Sequence, residues 1–415
     1  MADSVPGGPR LSRRGLLGGA AGLGVATVVG AGLAGCGSST EQQQVVPFYG
    51  THQAGISTDT QDRLAFAAFD VSPTASRQDL VDMLRTWTAA AEAMTRGVMV
   101  PGESHAQEVP PADTGETIGL PPSQLTVTIG FGPGLFDQRF GLAARKPAQF
   151  AELPPLPGAL LDPTRTGGDI GVQACANDPA VAFHAVRNLA RLGKGTAVTR
   201  WTQLGFGRTA STGTDQQTER NLLGFKDGTR NIKSDDQQAL DKYVWVGDEA
   251  AQPWMAGGSY LVARRIRMFV EAWDRDRLSD QEQVIGREKY TGAPLTGRDE
   301  FDTPDFAAKG PDGQPVIDDT AHVRLAAFEN NGGLRILRRG YSFTDGIDSR
   351  TGDLDAGLFF ISFQRDPDQF VTLQRKLGVH DALNEYIRHV GSGLFACPGG
   401  VPDANHYWGQ QLFEP

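Results

Sequence analysis

The chain has 415 residues, 39% hydrophobic and 21% charged, which suits about two or three folded domains and excludes an intrinsically disordered chain. A formal net charge of −10 argues against nucleic acid as a partner, because phosphate binding needs a clustered basic surface. Three cysteines, with no Cys-x-x-Cys and no Cys-x-x-Cys-His, exclude a disulfide scaffold, a ribbon zinc site, a thioredoxin-like dithiol and c-type haem attachment.

Residues 1–36 read as an address. Arg13-Arg14 ahead of a Gly/Ala/Val run has the pattern of a twin-arginine export signal. The run is long enough to span a bilayer, but it is rich in Gly and poor in Leu, Ile and Phe. Leu33-Ala34-Gly35-Cys36 resembles a bacterial lipobox and equally suits a plain small-residue cleavage site, so a lipid anchor at Cys36 stays open. This reading makes the twin-arginine export machinery a partner. It puts the mature protein outside the cytoplasm: extracellular, periplasmic or tethered to the outer face of a membrane. Residues 37–60 are expected to form a polar tether.

In chain order, Leu64 to Val71 predicts a buried strand with Phe66 and Phe69 on opposite faces, ended by Ser72-Pro73. Leu80, Met83, Leu84, Trp87, Ala91 and Met94 recur at helical spacing. Strands are predicted over 125–131, 170–176 and 196–206. Between the last two lies a helix capped by Asp178, begun by Pro179 and stopped by Gly193. This β-α-β-β-α-β order is that of a ferredoxin-like unit.

The second half repeats the order. A long strand over 260–273 precedes a short helix opened by a Ser279/Glu282 capping box. Strands over 334–343 and 358–363 follow. A helix then starts at Asp366-Pro367, with Phe370, Leu373 and Leu377 on one face and Gly378 after it, and a strand over 385–396 closes the unit. The repeated strand–Asp-Pro–helix–Leu-Gly pattern points to internal duplication. The expected fold class is α+β, with two ferredoxin-like units carrying antiparallel sheets. Their bounds are 61–215 and 216–415, with the joint in the polar stretch around 210–220.

Three segments of the second half carry candidate chemistry. In Gly224-Phe225-Lys226-Asp227-Gly228-Thr229, Asp-Gly by itself marks a turn. His322 in Ala-His-Val-Arg-Leu is by itself as compatible with a surface or core residue as with a ligand. In Leu337 to Phe343, Arg338 and Arg339 alternate on a strand, so one faces inward while the other faces solvent.

Taken together and in this order, these segments resemble the dye-decolourising peroxidase family, in particular its exported, deferrochelatase-like branch. The resemblance covers almost the whole mature chain. It takes in Asp178-Pro179 with Phe183-His184-Ala185, residues 292–297 (Gly-Ala-Pro-Leu-Thr-Gly), Asp299-Glu300-Phe301-Asp302 and Phe360 to Asp366. It implies a peroxidase with one non-covalent haem b per chain, held in the C-terminal unit. His322 matches the family's proximal, iron-binding histidine. Asp227 matches the distal aspartate and Arg338 the distal arginine, the catalytic pair. Gly228, Thr229 and Arg230 match a loop along the haem edge, and Leu358 and Phe360 an apolar distal shield. Residues 327–333 depart from the relatives' Asn-Pro-Arg and longer loop, which puts any haem contact from that loop in doubt. His184 is read as structural.

These residue types suit cleavage of hydrogen peroxide. The axial imidazole needs an acceptor for its other nitrogen. A carboxylate, ordinarily ionised above about 3.9, serves as base in acid where an imidazole is already protonated. A fixed guanidinium stabilises the separating oxygens without titrating. An optimum near pH ~4–5 is expected on that basis. The electron donors would be dyes, phenols or other organic molecules. Bulky donors cannot enter a haem pocket, so Trp201, Trp245, Trp254, Trp273, Trp408, Tyr341 and Tyr407 are candidate electron relays. The same haem-binding residues would serve an iron-uptake protein that releases iron from haem. A haem carrier would need neither the distal acid–base group nor the cation. Cys175 and Cys397 are expected as buried thiols, and a homo-oligomer stays open.

Overall fold

β-Branched and aromatic runs give nine strands in the computed structural model, which describes residues 45–102 and 107–414. They are β1 (Arg63–Val71), β2 (Thr126–Phe131), β3 (Ile170–Ala176), β4 (Ala197–Arg208), β5 (Ser259–Met268), β6 (Leu337–Arg338), β7 (Tyr341–Ile347), β8 (Leu354–Gln364) and β9 (Ile387–Cys397). The order is β5-β9-β2-β3-β1-β4-β7-β8-β6, and β5 also pairs with β8, so the sheet closes into a ring. Closure leaves few open edges. The two sheets expected from the sequence are therefore joined into one. The joints are β2–β9, at Phe131 opposite Ala396, and β4–β7, at Phe206 opposite Ser342. The first-half strands run β2-β3-β1-β4 and the second-half strands β9-β5-β8-β7.

Strand alternation sorts the side chains as expected. Phe66 reaches across the ring to Phe359 and Phe395, with ring centroids 5.3 and 6.0 Å away, in a core that also holds Trp201 and Tyr341. Phe69 faces out and packs on Trp87 of α1 (Arg77–Thr95). α1 and α2 (Pro179–Leu192) bury their apolar faces in this second core, with Asp178 and Gly193 capping α2 as the sequence predicts. The second half adds α3 (Gln237–Tyr243), α4 (Val270–Trp273), α5 (Leu278–Ile285), α6 (His322–Ala326), α7 (Pro367–His380) and α8 (Gln410–Phe413). Cys175 and Cys397 are free and buried.

Several local expectations are corrected. The strand expected over 260–273 ends at Met268, and the chain turns into α4, burying Trp273 with its indole N–H on the Leu223 carbonyl. Ser279 cannot cap α5 because it lies inside it; Glu282 instead accepts from the Lys289 amide. The strand expected over 334–343 breaks at Arg339-Gly340, where Thr209 donates to the Gly340 carbonyl. A Cβ at Gly340 would lie 2.8 Å from the Thr209 hydroxyl. Gly378 does not end α7; a Cβ there would come within 2.5 Å of the Pro157 carbonyl, so the glycine serves close packing.

The export signal expected at 1–36, with Cys36, and residues 37–44 lie outside the described residues. The rest of the expected tether, 45–60, is packed instead. Ile56 is fully buried, and the Gln53 amide hydrogen-bonds Ile129 on β2 and Pro398 beyond β9.

His184 is structural, as expected. It is buried 3.2 Å from Glu116 and 3.5 Å from Asp113. Burial pushes the Glu116 carboxyl up, but hydrogen bonds from Thr114, its own backbone and His184 outweigh this and hold it at about 2. A depressed carboxyl stabilises the fold fully above its ordinary value and progressively less as pH falls towards about 2. Glu116→Gln should therefore lose on the order of 1 kcal/mol in urea melts at pH 6. The gap from wild type should vanish near pH 2, and a gap that persists there would contradict this role.

Candidate functional site

The Asp-Gly turn is real, and it aims Asp227. Gly228 sits at φ +85, where a Cβ would lie 2.8 Å from the Ala210 Cα, so only glycine fits. The turn delivers Asp227 to Arg338 at the end of β6, whose Nη1 donates to Asp227 Oδ1 at 2.6 Å. The second carboxylate oxygen has only a 3.5 Å contact to the Asn221 amide. Asn231 holds the two segments in register. Its side chain accepts from the Arg338 amide and donates to the Arg338 carbonyl, both at 2.8 Å. Nothing in the sequence marks Asn231 beyond its place just after the motif.

Arg338 lines the cavity, but Arg339 does not face solvent as expected. It is fully buried on the opposite side of the chain, where it donates to the carbonyls of Thr58 and Asp59 and to Gln61. The segment packed over the sheet supplies those acceptors, which alternation alone cannot reveal.

His322 opens α6 on another wall. Its Nδ1–H donates to Asp381 Oδ2 at 2.6 Å, and a third of the side chain stays open. Asp381 is buried at the end of α7 and also accepts from the Leu383 amide. Burial would push the imidazole down, but the Asp381 charge and hydrogen bond raise it above its ordinary value. This geometry leaves Nε2 as the free nitrogen, the arrangement of a ligating histidine with its outer carboxylate. The spacing of 322 and 381 gives no hint of the contact; only the packing of α6 on α7 creates it.

Between these groups lies a cavity of about 260 Å³. One wall is the outer face of β5, β8 and β9, including Ile266, Leu358, Phe360 and Ile387. The other is α5, α6 and α7, including Ile285, Val323 and Leu373. All eight residues expected at the site line this cavity: Asp227, Gly228, Thr229, Arg230, His322, Arg338, Leu358 and Phe360. Thr229 donates to Glu300, which also pairs with Lys226. Arg230 pairs with Glu329 at 2.5 Å and lies 4.3 Å over the Phe328 ring. The departing loop thus does reach the site, with Ala327 and Phe328 on its wall. Apolar walls, one imidazole with a free nitrogen and a carboxylate–guanidinium pair fit a flat iron-centred tetrapyrrole.

The seven aromatic relay candidates are all buried. Trp273 is the one with a described ring contact to the cavity wall, 5.8 Å from Phe225. It also lies 4.8 Å from Tyr386, which the sequence did not single out and whose hydroxyl donates to Asp276.

Asp381→Asn should keep the fold and loosen haem. Its release to an excess of apomyoglobin should quicken about 10–100-fold. An unchanged release rate would remove Asp381 from the ligand's support.

Residues 53–207 match the family model "Dyp-type peroxidase, N-terminal" and residues 218–402 match "Dyp-type peroxidase, C-terminal". A deferrochelatase of Yersinia pseudotuberculosis is 40% identical over 386 residues, 91% of this chain and 87% of the relative. Among solved structures, a DyP-type peroxidase from Streptomyces coelicolor superposes with a TM-score of 0.83 at 39% identity, covering 90% of this chain and 99% of that one. Ferric DtpA from Streptomyces lividans matches with the same identity, coverage and TM-score. The chain belongs to the DyP-type peroxidase family, whose members are haem peroxidases.

Proposed function

We propose that the cavity is the haem site of a peroxidase in which His322 ligates the iron while Asp227 and Arg338 act on hydrogen peroxide. The observation that carries this reading is the 2.6 Å Asp227–Arg338 pair in the same cavity as the His322–Asp381 pair. When bound, haem supplies a redox-active iron with an open coordination position. Asp227 uses its lightly engaged oxygen to take a proton from peroxide and return it to the departing oxygen. Arg338 holds that carboxylate and offers fixed positive charge to the separating oxygens. Asn231 keeps Arg338 in place through the backbone, and Leu358 and Phe360 exclude water.

The strand orders β2-β3-β1-β4 and β9-β5-β8-β7 support two ferredoxin-like units, 61–215 and 216–415, with haem in the second. Trp273, with Tyr386 beside it, is the favoured route for electrons from dyes, phenols or other donors too bulky to enter. An acid optimum follows from a carboxylate base. Export through the twin-arginine route, with or without lipidation of Cys36, rests on the Arg13-Arg14 signal.

The name of the 40% identical relatives supports a second reading, removal of iron from haem. The two separate by product. Haem-loaded protein given peroxide and a dye should yield oxidised dye, whereas iron removal would yield chelatable iron and metal-free, fluorescent porphyrin.

Two outcomes are expected on the peroxidase reading. In stopped-flow mixing with peroxide, Asp227→Asn and Arg338→Leu should each slow the first spectral change by about 100-fold or more. An unimpaired Arg338→Leu protein would remove that role. Dye oxidation should peak below pH ~6, and a maximum at pH 7 or above would count against a carboxylate base.

A further inference from the structure

Behind the cavity wall, against the lining residue His389, lies one buried cation that no described carboxylate balances. Arg264 on β5 is 1% exposed, and among the described residues it makes no ion pair. Its Nη1 donates to Ser392 at 2.9 Å and its Nε to His389 Nδ1 at 3.2 Å, while Nη2 has no partner. The cations that line the cavity are committed, Arg335 to Asp236 at 3.6 Å among them. Arg338 pairs with Asp227, Arg230 with Glu329, and Lys226 with Glu300. Arg287 donates to two backbone carbonyls. A buried guanidinium is costly unless its donors are satisfied: the equally buried Arg339 gives both terminal nitrogens to carbonyls and Gln61, whereas Arg264 Nη2 has no acceptor.

The contacts of Arg264 dictate those of its neighbours. A guanidinium only donates, so His389 Nδ1 accepts and the ring proton sits on Nε2. Nε2 lies 3.3 Å from the Gln374 amide on α7, so the amide oxygen must face the ring. The Gln374 NH2 is then free for the cavity, which both Gln374 and His389 line. Burial and the Arg264 charge push His389 down to about 3, so this polarity does not reverse across the working pH range.

We propose that Gln374, His389 and Arg264 seat one carboxylate arm of the haem. The Gln374 amide donates directly to the propionate, and Arg264 supplies the balancing charge from behind His389. The assignment rests on the haem reading of the cavity. Arg264 and His389 are positioning residues here, and Gln374 is the contact.

The test uses the full-length apoprotein, titrated with ferric protoporphyrin IX and with its dimethyl ester, which has no carboxylate. Wild type should bind the acid at least ~10-fold more tightly than the ester. In Gln374→Leu, affinity for the acid should fall about tenfold with the ester unchanged, so the preference shrinks by that factor. Arg264→Met should behave alike. Should it fail to fold, Gln374→Leu still decides, since it leaves the Arg264–His389 contact in place. A preference that survives intact in Gln374→Leu, or a wild type that binds both porphyrins equally, overturns the seat while leaving the haem reading standing. A wild type that forms no complex with either porphyrin overturns that reading and the seat with it.

Discussion

Strand β8 pairs along one edge with β5 and along the other with two separate strands, β6 and β7. The site depends on that arrangement. The β5–β8 pairing closes the ring and presents Ile266, Leu358 and Phe360 on the outer face, as one wall of the cavity. The break between β6 and β7 lets successive arginines part company. Arg338 enters the cavity, and Arg339 turns into the protein to hold residues 58–61. One interrupted strand thus serves both the cavity and the anchoring of the segment that packs over the sheet.

Charge in the cavity is arranged in fixed pairs drawn from distant parts of the chain. Asp227 comes from a turn and Arg338 from a strand end, with Asn231 tying the two together through backbone hydrogen bonds. His322 opens one helix and Asp381 ends another. Both pairs are close, each at 2.6 Å. Asn231 fixes the Arg338 backbone and the Leu383 amide fixes Asp381, which is the kind of preorganised charge that stabilises a transition state. The same logic makes Arg264 stand out, because its Nη2 finds no acceptor, whereas both terminal nitrogens of the equally buried Arg339 are taken by carbonyls and Gln61.

Much of this was legible in the sequence, and the reasons are physical. Strands β1, β3 and β9 and helix α2 declare themselves by periodicity and by Asp-Pro starts, since those signals are local. Asp227, His322 and Arg338 were readable because their flanking residues form a motif, although Asp-Gly, a lone histidine and paired arginines are each ordinary. Asp381, Asn231 and the burial of Arg339 were not readable, because each depends on a partner far away in the chain. Gly378 misled for the converse reason: a glycine near a helix end signals termination locally, yet here it makes room for Pro157. Of the tether expected at 37–60, the described part, 45–60, is packed instead. A polar composition hid Gln53 and Ile56, whose packing is decided by strands that come later.

A crystal structure of the haem-loaded protein tests the central claim most directly. The account predicts iron bound by His322 Nε2, with Asp381 still on Nδ1 and with Asp227 and Arg338 on the opposite face of the ring. Iron held by any other side chain, or Asp227 and Arg338 on the same face as His322, would contradict it.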